Sequence, residues 1–408
     1  MMKNTTEMRK LAWSFLWMIG IISLFSDFVH EGARSIYGPY LDLLGASAFL
    51  VATVSGLGEF IGQALRVLTG WIADKTRKYW LMMILGYAIN LLVIPLLYFV
   101  DVSVWELALV LILLERVGKG IRAPAKSALT SFVSPHLGAG KSFAIQEALD
   151  QLGAFLGPIF VYGVMLLQAD ELEGYRLAFL MLGVFAIATL VILFAAKRRF
   201  PHPETMEETK PKTTATLGGS RFVLYLIAIA LIAFGFLDYP FLAFHASNRG
   251  LIDVSLIPLL YAMAMGVDAL SALFFGHLYD KIGVGSLIGA IAVSAFVAPL
   301  VFLFDNTTTL LIGIAFWGIG MGAQESILKA VVASLVDKPS RATAYGIFYA
   351  VFGGFWFLGS TIVGILYGYS FWLVALFAFV AQVLGIVVLA AFVFRERRAS
   401  RAAKGGTS

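Results

Sequence analysis

The sequence predicts an all-α polytopic membrane protein: twelve transmembrane helices in two six-helix bundles related by pseudo-twofold symmetry. Three observations predict it. Apolar residues make up 60% of the 408 residues and charged residues 13%, against roughly 45–50% and about 25% in soluble domains. The apolar residues gather into runs long enough to span a bilayer, which takes about 20 residues. A short motif recurs at corresponding places in the two halves. A mean hydropathy of +0.88 excludes a soluble enzyme, and so much apolar surface also excludes a disordered chain.

The runs fall at about 11–36, 43–69, 79–100, 104–130, 142–168, 176–196, 222–247, 254–276, 284–304, 309–335, 342–367 and 370–394. Spans longer than 25 residues imply tilt or protruding ends. The fourth is the least apolar, because its greasy run Leu107–Leu114 meets the charged stretch Glu115–Lys126. The first contains Asp27, His30 and Glu31 and has no small-residue cleavage site behind a short apolar core, so it reads as a retained helix rather than a signal peptide.

Lys and Arg in short loops set the orientation. Basic connections carry Lys3, Arg9 and Lys10, then Lys75, Arg77 and Lys78, then Lys197, Arg198 and Arg199, then Lys338 and Arg341, and finally the tail from Arg395 to Lys404. The alternate connections carry Asp42, Asp101, Glu106, Asp170, Glu171, Glu173 and Asp305. Both termini are therefore expected in the cytoplasm of a cell whose plasma membrane holds the protein. The net charge of +5 sits in these loops and the tail, so no nucleic-acid partner is expected, and the tail faces anionic membrane lipid. The longest linker, 197–221, divides the chain into bundles at 1–196 and 222–408.

The repeat supports that division. Gly70-x-x-x-Asp74-Lys75 follows the second span, and Gly276-x-x-x-Asp280-Lys281 follows the eighth. Twinned six-helix halves point to a transporter with its site near the bilayer midplane. The chain lacks cysteine, its five histidines are scattered, and no Gly-x-x-x-x-Gly-Lys-Ser/Thr loop occurs. No metal site, cofactor or direct use of ATP is expected.

These motifs resemble those of the major facilitator superfamily, over essentially the whole chain. Its loop signature, Gly-x-x-x-Asp-(Arg/Lys)-x-Gly-(Arg/Lys)-(Arg/Lys), is matched at Gly70, Asp74, Lys75 and Lys78, with Arg77 in place of the second glycine. The second copy keeps Gly276, Asp280, Lys281 and Gly283 without the trailing basic residues. Arg116-x-x-x-Gly120 is similar to the Arg-containing motif of the fourth span, although Lys119, Arg122 and Pro124 depart from it. Gly153-x-x-x-Gly157-Pro158 resembles the core of the antiporter signature, with Val161 and Tyr162 where two glycines normally follow. The resemblance to an uncharacterised prokaryotic branch implies a monomeric secondary transporter and no enzyme. It also implies gating by Asp74 and Asp280 and a cavity lined by the first and fourth spans.

An ionised side chain at mid-membrane costs about 2.5–3.5 kcal/mol on insertion scales. The first half carries Asp27, Glu31, Glu59, Glu115, Glu147 and Asp150 against Arg34, Arg66, Arg116, Lys119, Arg122 and Lys126. Such groups must pair, face the bundle interior or line water. Asp27, His30, Glu31 and Arg34 share one helical stripe and read as a proton relay or substrate contact, with Asp27 the expected carrier and Glu31–Arg34 an outer gate. The competing reading is a permanent ion pair. Arg116, Lys119 and Arg122 read either as holders of an anionic group or as static neutralisers of Glu147 and Asp150, and Lys119 is expected to pair with Glu115 four residues away. Glu59, Asp238, Gln324, Glu325 and Trp356 complete the cavity candidates, while Gly153, Gly157 and Pro158 read as helix packing and a kink. The expected function is proton-coupled export of a small organic solute by alternating access. Uptake of a charged metabolite, or a lipid-handling or non-transporting role, are the alternatives.

Overall fold

A computed structural model describes residues 5–137, 139–203, 219–335 and 341–405, and the described residues contain helix and no strand. In the N-terminal half run α1 (Thr5–Arg34), α2 (Tyr37–Leu43), α3 (Ala48–Thr76), α4 (Tyr79–Leu92), α5 (Glu106–Leu137), α6 (Ala139–Met165) and α7 (Glu171–Arg199). In the C-terminal half run α8 (Ser220–Gly235), α9 (Tyr239–Asn248), α10 (Ile257–Ile282), α11 (Gly285–Ser294), α12 (Val297–Phe302), α13 (Thr307–Leu335), α14 (Arg341–Tyr367) and α15 (Phe371–Gly405).

Among the described residues, eleven helical stretches are long and apolar enough to cross a membrane. The fourth span, α5, 32 residues long, misses that standard because Glu115, Arg116, Lys119, Arg122 and Lys126 fall within it. The span that hydropathy misses is thus the one that carries the polar chemistry.

Several spans that read as single helices in the sequence are broken. The third is α4 then a 3-10 turn at Pro95–Phe99, the seventh α8 then α9, and the ninth α11 then α12, while the first, α1, is followed by the short α2 beyond the expected end at 36. A proline ring clashes with the carbonyl four residues before it and cannot donate to it. The breaks obey this rule: Pro39 acts on Ser35, Pro95 on Leu91, Pro240 on Phe236 and Pro299 on Ala295, each at or beside the end of a helix. The four prolines occupy corresponding spans of the two halves.

The turns repeat as well. All four positive-φ residues of the described chain pair up, Gly45 (φ 89) with Gly250 (φ 60) after the first span of each half, and Arg77 (φ 54) with Gly283 (φ 64) after the second. Arg77 and Gly283 cap α3 and α10 alike, their amides donating to Ala73 O at 2.7 Å and Tyr279 O at 2.8 Å.

By packing, the chain forms two compact units: Met1–Ala46, Ile61–Pro211 and Asp253–Ala262 in the first, and Ser47–Phe60, Lys212–Ile252 and Met263–Ser408 in the second. This differs from a division at the linker in two short segments. Ser47–Phe60 of α3 joins the second unit because small residues let it lie close to α14: a Cβ at Gly56 would stand 2.6 Å from Ser360 Cβ, and one at Gly364 2.9 Å from Phe49 Cα. Within the first unit α1 and α6 approach so closely that a Cβ at Gly153 would fall on Leu24 O, and one at Gly157 on Phe28 O. Pro158 lies inside α6 without ending it.

Candidate functional site

The 3.6-residue period puts Asp27, His30, Glu31 and Arg34 on one stripe of α1, and Glu115, Lys119, Arg122 and Lys126 on one stripe of α5. In the first unit the two stripes meet as a ladder whose residue numbers run in opposite directions. Lys126 Nζ donates to Ser23 Oγ at 2.8 Å, and Arg122 Nη2 to Asp27 Oδ1 at 2.9 Å. Lys119 Nζ stands 2.7 Å from His30 Nε2 and 3.5 Å from Glu31 Oε1. His30 Nδ1 stands 2.5 Å from Glu115 Oε1. The other ends of the ladder are tied as well. Lys126 also binds Asp150 Oδ2 of α6 at 2.7 Å, and Gln146 of α6 bonds Thr130 at 2.8 Å. Arg122 lies over the Tyr87 ring at 4.6 Å.

Burial divides the ladder into two layers. Side chains of Lys119, Asp150 and Asp27 keep 22%, 18% and 16% exposure, while His30 and Glu115 keep 0% and 1%. The deep layer is only partly satisfied: His30 Nδ1, Glu115 Oε2 and Asn90 Oδ1 are buried without a hydrogen bond. Asn90 Nδ2 of α4 donates to both the backbone oxygen and Oε1 of Glu115, and Arg116 Nε lies 3.4 Å from Glu115 Oε2. Lys119 carries three donors, so it donates to His30 Nε2, which leaves the proton of the neutral ring on Nδ1, close to the Glu115 carboxylate but not aligned with it as a hydrogen bond.

Lys119 also reaches across to α1, to His30 and Glu31. Arg122 binds Asp27 and Lys126 binds Asp150, while Glu147 is exposed. Glu31 lies 3.7 Å from Arg34 and accepts a 2.6 Å hydrogen bond from Tyr261 Oη, in the α10 segment that belongs to this unit. Asn90, Ser23, Gln146 and Tyr261 escaped the sequence reading. A lone Asn in the apolar run of α4 is itself a signal, whereas nothing marks Tyr261.

The remaining candidates are described one by one. Glu59 belongs to the second unit and is half-buried. Asp238 is buried and caps α9, accepting from Tyr239 N at 3.0 Å. Gln324 is buried and donates to Gly320 O of its own helix at 3.1 Å, while Glu325 is exposed. Trp356 is buried against Phe236 and Phe352, with ring centroids 5.1 and 5.4 Å away. In the loop motifs, Gly70 faces Pro124, Asp74 accepts from Tyr79 Oη at 3.3 Å, and Lys75 lies 4.8 Å from the Trp71 ring centroid. Lys78, Asp280 and Lys281 are exposed, and a Cβ at Gly276 would meet nothing within 4 Å. Among the described residues no group of three His, Asp or Glu side chains could hold a metal ion.

Comparison with known proteins decides the family. The model described as Major Facilitator Superfamily matches residues 16–283 and again residues 239–408. The chain belongs to the major facilitator superfamily. It is therefore a multi-pass membrane transporter of small molecules and not an enzyme. An uncharacterised protein of Mycobacterium tuberculosis is 37% identical over 389 residues, covering 93% of this chain and 92% of that one. An uncharacterised MFS-type transporter of Methanocaldococcus jannaschii is 29% identical, covering 90% and 92%. The multidrug resistance protein MdtH of Blochmanniella pennsylvanica is 26% identical, covering 85% and 83%. Solved structures share the fold. A mutant of the nucleoside transporter NupG gives a TM-score of 0.74 at 15% identity over 93% of this chain and 99% of that one. An inward-facing bacterial homologue of the lysosomal transporter Spinster gives 0.70 at 16%, over 95% and 97%.

Proposed function

We propose that this superfamily member is a proton-coupled secondary transporter that exports a small organic solute by alternating access. The observation that carries the reading is the α1–α5 ladder, in which titratable acids, a histidine and bases sit within hydrogen-bond reach of one another inside membrane-spanning helices. Intramembrane ionisable groups mark ion and substrate pathways by default. A proton gradient provides about 1.4 kcal/mol per pH unit and about 2.3 kcal/mol per 100 mV per charge. Asp27, His30 and Glu31 act as the coupling groups. Arg34, Arg116, Lys119, Arg122, Asp150 and Glu147 contribute to the polar wall, and Asp74 and Asp280 serve as gating residues in the two loop motifs. The similarity to a multidrug resistance protein supports export. The basic loops support cytoplasmic termini, and the protein works as a monomer.

Uptake of a charged metabolite is the second reading, favoured by the partial exposure of the cations Lys119 and Lys126. Proteoliposomes loaded with ethidium or with a radiolabelled carboxylate separate the two. Export predicts pH-driven movement of the dye, uptake predicts movement of the carboxylate, and movement of neither under an imposed pH gradient defeats both. Asp27→Asn is expected to abolish pH-driven accumulation while keeping solute exchange.

A further inference from the structure

We propose that Glu115 is a buried proton-binding site, loaded from the accessible side by Lys119 through the imidazole of His30. The proposal deepens the proton-coupled reading and rests on it. Glu115 and His30 have essentially no exposed side-chain surface, while Lys119 keeps 22%. The line Lys119 Nζ–His30 Nε2–His30 Nδ1–Glu115 Oε1 joins an accessible group to a sealed carboxylate through one hydrogen bond of 2.7 Å and one close contact of 2.5 Å. Asp27 differs: its own side chain keeps 16% exposure and needs no relay, and its partner is the Arg122 guanidinium at 2.9 Å, a group that stays protonated in proteins.

The chemistry balances. Lys119 gives one proton to His30 Nε2 as the proton on Nδ1 moves to Glu115 Oε1, and Lys119 then takes a proton from water on the accessible side. The net change is one proton added to the carboxylate, with the imidazole neutral before and after in its other tautomer. The loaded Glu115 hydroxyl faces the His30 Nδ1 lone pair whose proton it has taken. His30 Nε2–H can no longer accept from Lys119, and both now have one common acceptor, Glu31 Oε1, which stands 3.4 Å from the imidazole nitrogen and 3.5 Å from the ammonium. Loading is thereby felt at Glu31, whose other oxygen holds Tyr261.

The groups that face the site are, from α1, Glu31 and Arg34, from α2, Tyr37, and from α5, Arg116, Lys119 and Arg122. From α4, Asn90 bonds the carboxylate directly, and Tyr87 underlies Arg122. Asn90 holds Glu115 Oε1 beside the ring and is a positioning residue.

The test needs no solute. Full-length protein labelled with [15N]histidine is titrated with acid in lipid bilayers, and the His30 resonances are picked out from those of the other four histidines by comparison with His30→Gln. The expected result is a switch from the Nδ1–H to the Nε2–H tautomer, in the same transition as one infrared band of a newly protonated carboxyl, and the band disappears in Glu115→Gln. Lys119→Met leaves the endpoint in place and slows proton uptake after a pH jump at least tenfold. An imidazolium protonated on both nitrogens, or an unchanged band in Glu115→Gln, overturns the proposal, as does unchanged kinetics in Lys119→Met. Should Glu115→Gln fail to fold, the tautomer record of the unsubstituted protein decides alone. A protein that passes while moving solute with no pH dependence overturns the coupled-transport reading and leaves the site standing. One that couples and fails these tests does the reverse.

Discussion

Arg122 and Asp27 form a 2.9 Å ion pair between α5 and α1, with the arginine side chain 3% exposed and stacked on Tyr87. A buried ion pair adds little over a well-packed apolar pair, but removing one partner strands the other and costs about 3–5 kcal/mol. Asp27→Ala is therefore expected to lower the melting temperature of the purified protein sharply. Asp27→Ala with Arg122→Met is expected to recover much of the loss. A double-mutant cycle by thermal unfolding checks it, and equal, additive losses would show the pair to be uncoupled.

The same cycle applied to Lys126 and Asp150 is expected to return a smaller coupling. These side chains keep 13% and 18% exposure, so each retains solvent when its partner is removed. Lys126 also keeps its bond to Ser23 at 2.8 Å. The expected coupling is below that of Arg122–Asp27, read in the same melts.

Much of this arrangement was legible beforehand. Eleven spans followed from hydropathy, and the stripes on α1 and α5 followed from helical spacing, because a stripe depends on period alone. Partner choice did not. Lys119 had Glu115 one turn away as a local option, and its 2.7 Å approach to His30 depends on how α1 meets α5. The helix breaks were readable in principle from Pro39, Pro95, Pro240 and Pro299, since the clash is local. Tyr261 was not readable, because its hydrogen bond to Glu31 joins residues 230 apart in the chain.

Arg77 and Gly283 occupy matching turns, yet only one of them is free of Cβ strain. A left-handed L-residue costs roughly 1–2 kcal/mol, so Arg77→Gly is expected to raise stability by about 1 kcal/mol, less the added entropy of the unfolded chain. Gly283→Ala is expected to lower it by a similar amount. Opposite signs in thermal melts confirm that both turns need the conformation seen at φ 54 and φ 64.

Glycines on α6 separate packing from mere flexibility. A Cβ at Gly157 would fall on Phe28 O, whereas one at Gly163 would meet nothing within 4 Å. Gly157→Ala is expected to push α6 off α1 and cost several kcal/mol, since backbone cannot yield as a side chain can. Gly163→Ala is expected to be neutral or to stabilise by about 0.5–1 kcal/mol through helix propensity. Yield of folded protein after size-exclusion chromatography distinguishes them.

Tyr261 gives the most local test of Glu31. Its hydroxyl donates to Glu31 Oε2 at 2.6 Å, and a hydrogen bond to a charged group contributes about 1.5–3 kcal/mol. Tyr261→Phe removes the donor and keeps the ring, so a fall in melting temperature reports the bond itself. Glu31→Gln keeps an acceptor but drops the charge, leaving a weaker neutral bond. If the two act through one interaction, Tyr261→Phe costs less in the Glu31→Gln background than in the unsubstituted protein. An undiminished cost there would mean that the hydroxyl stabilises the protein through some group other than the Glu31 carboxylate.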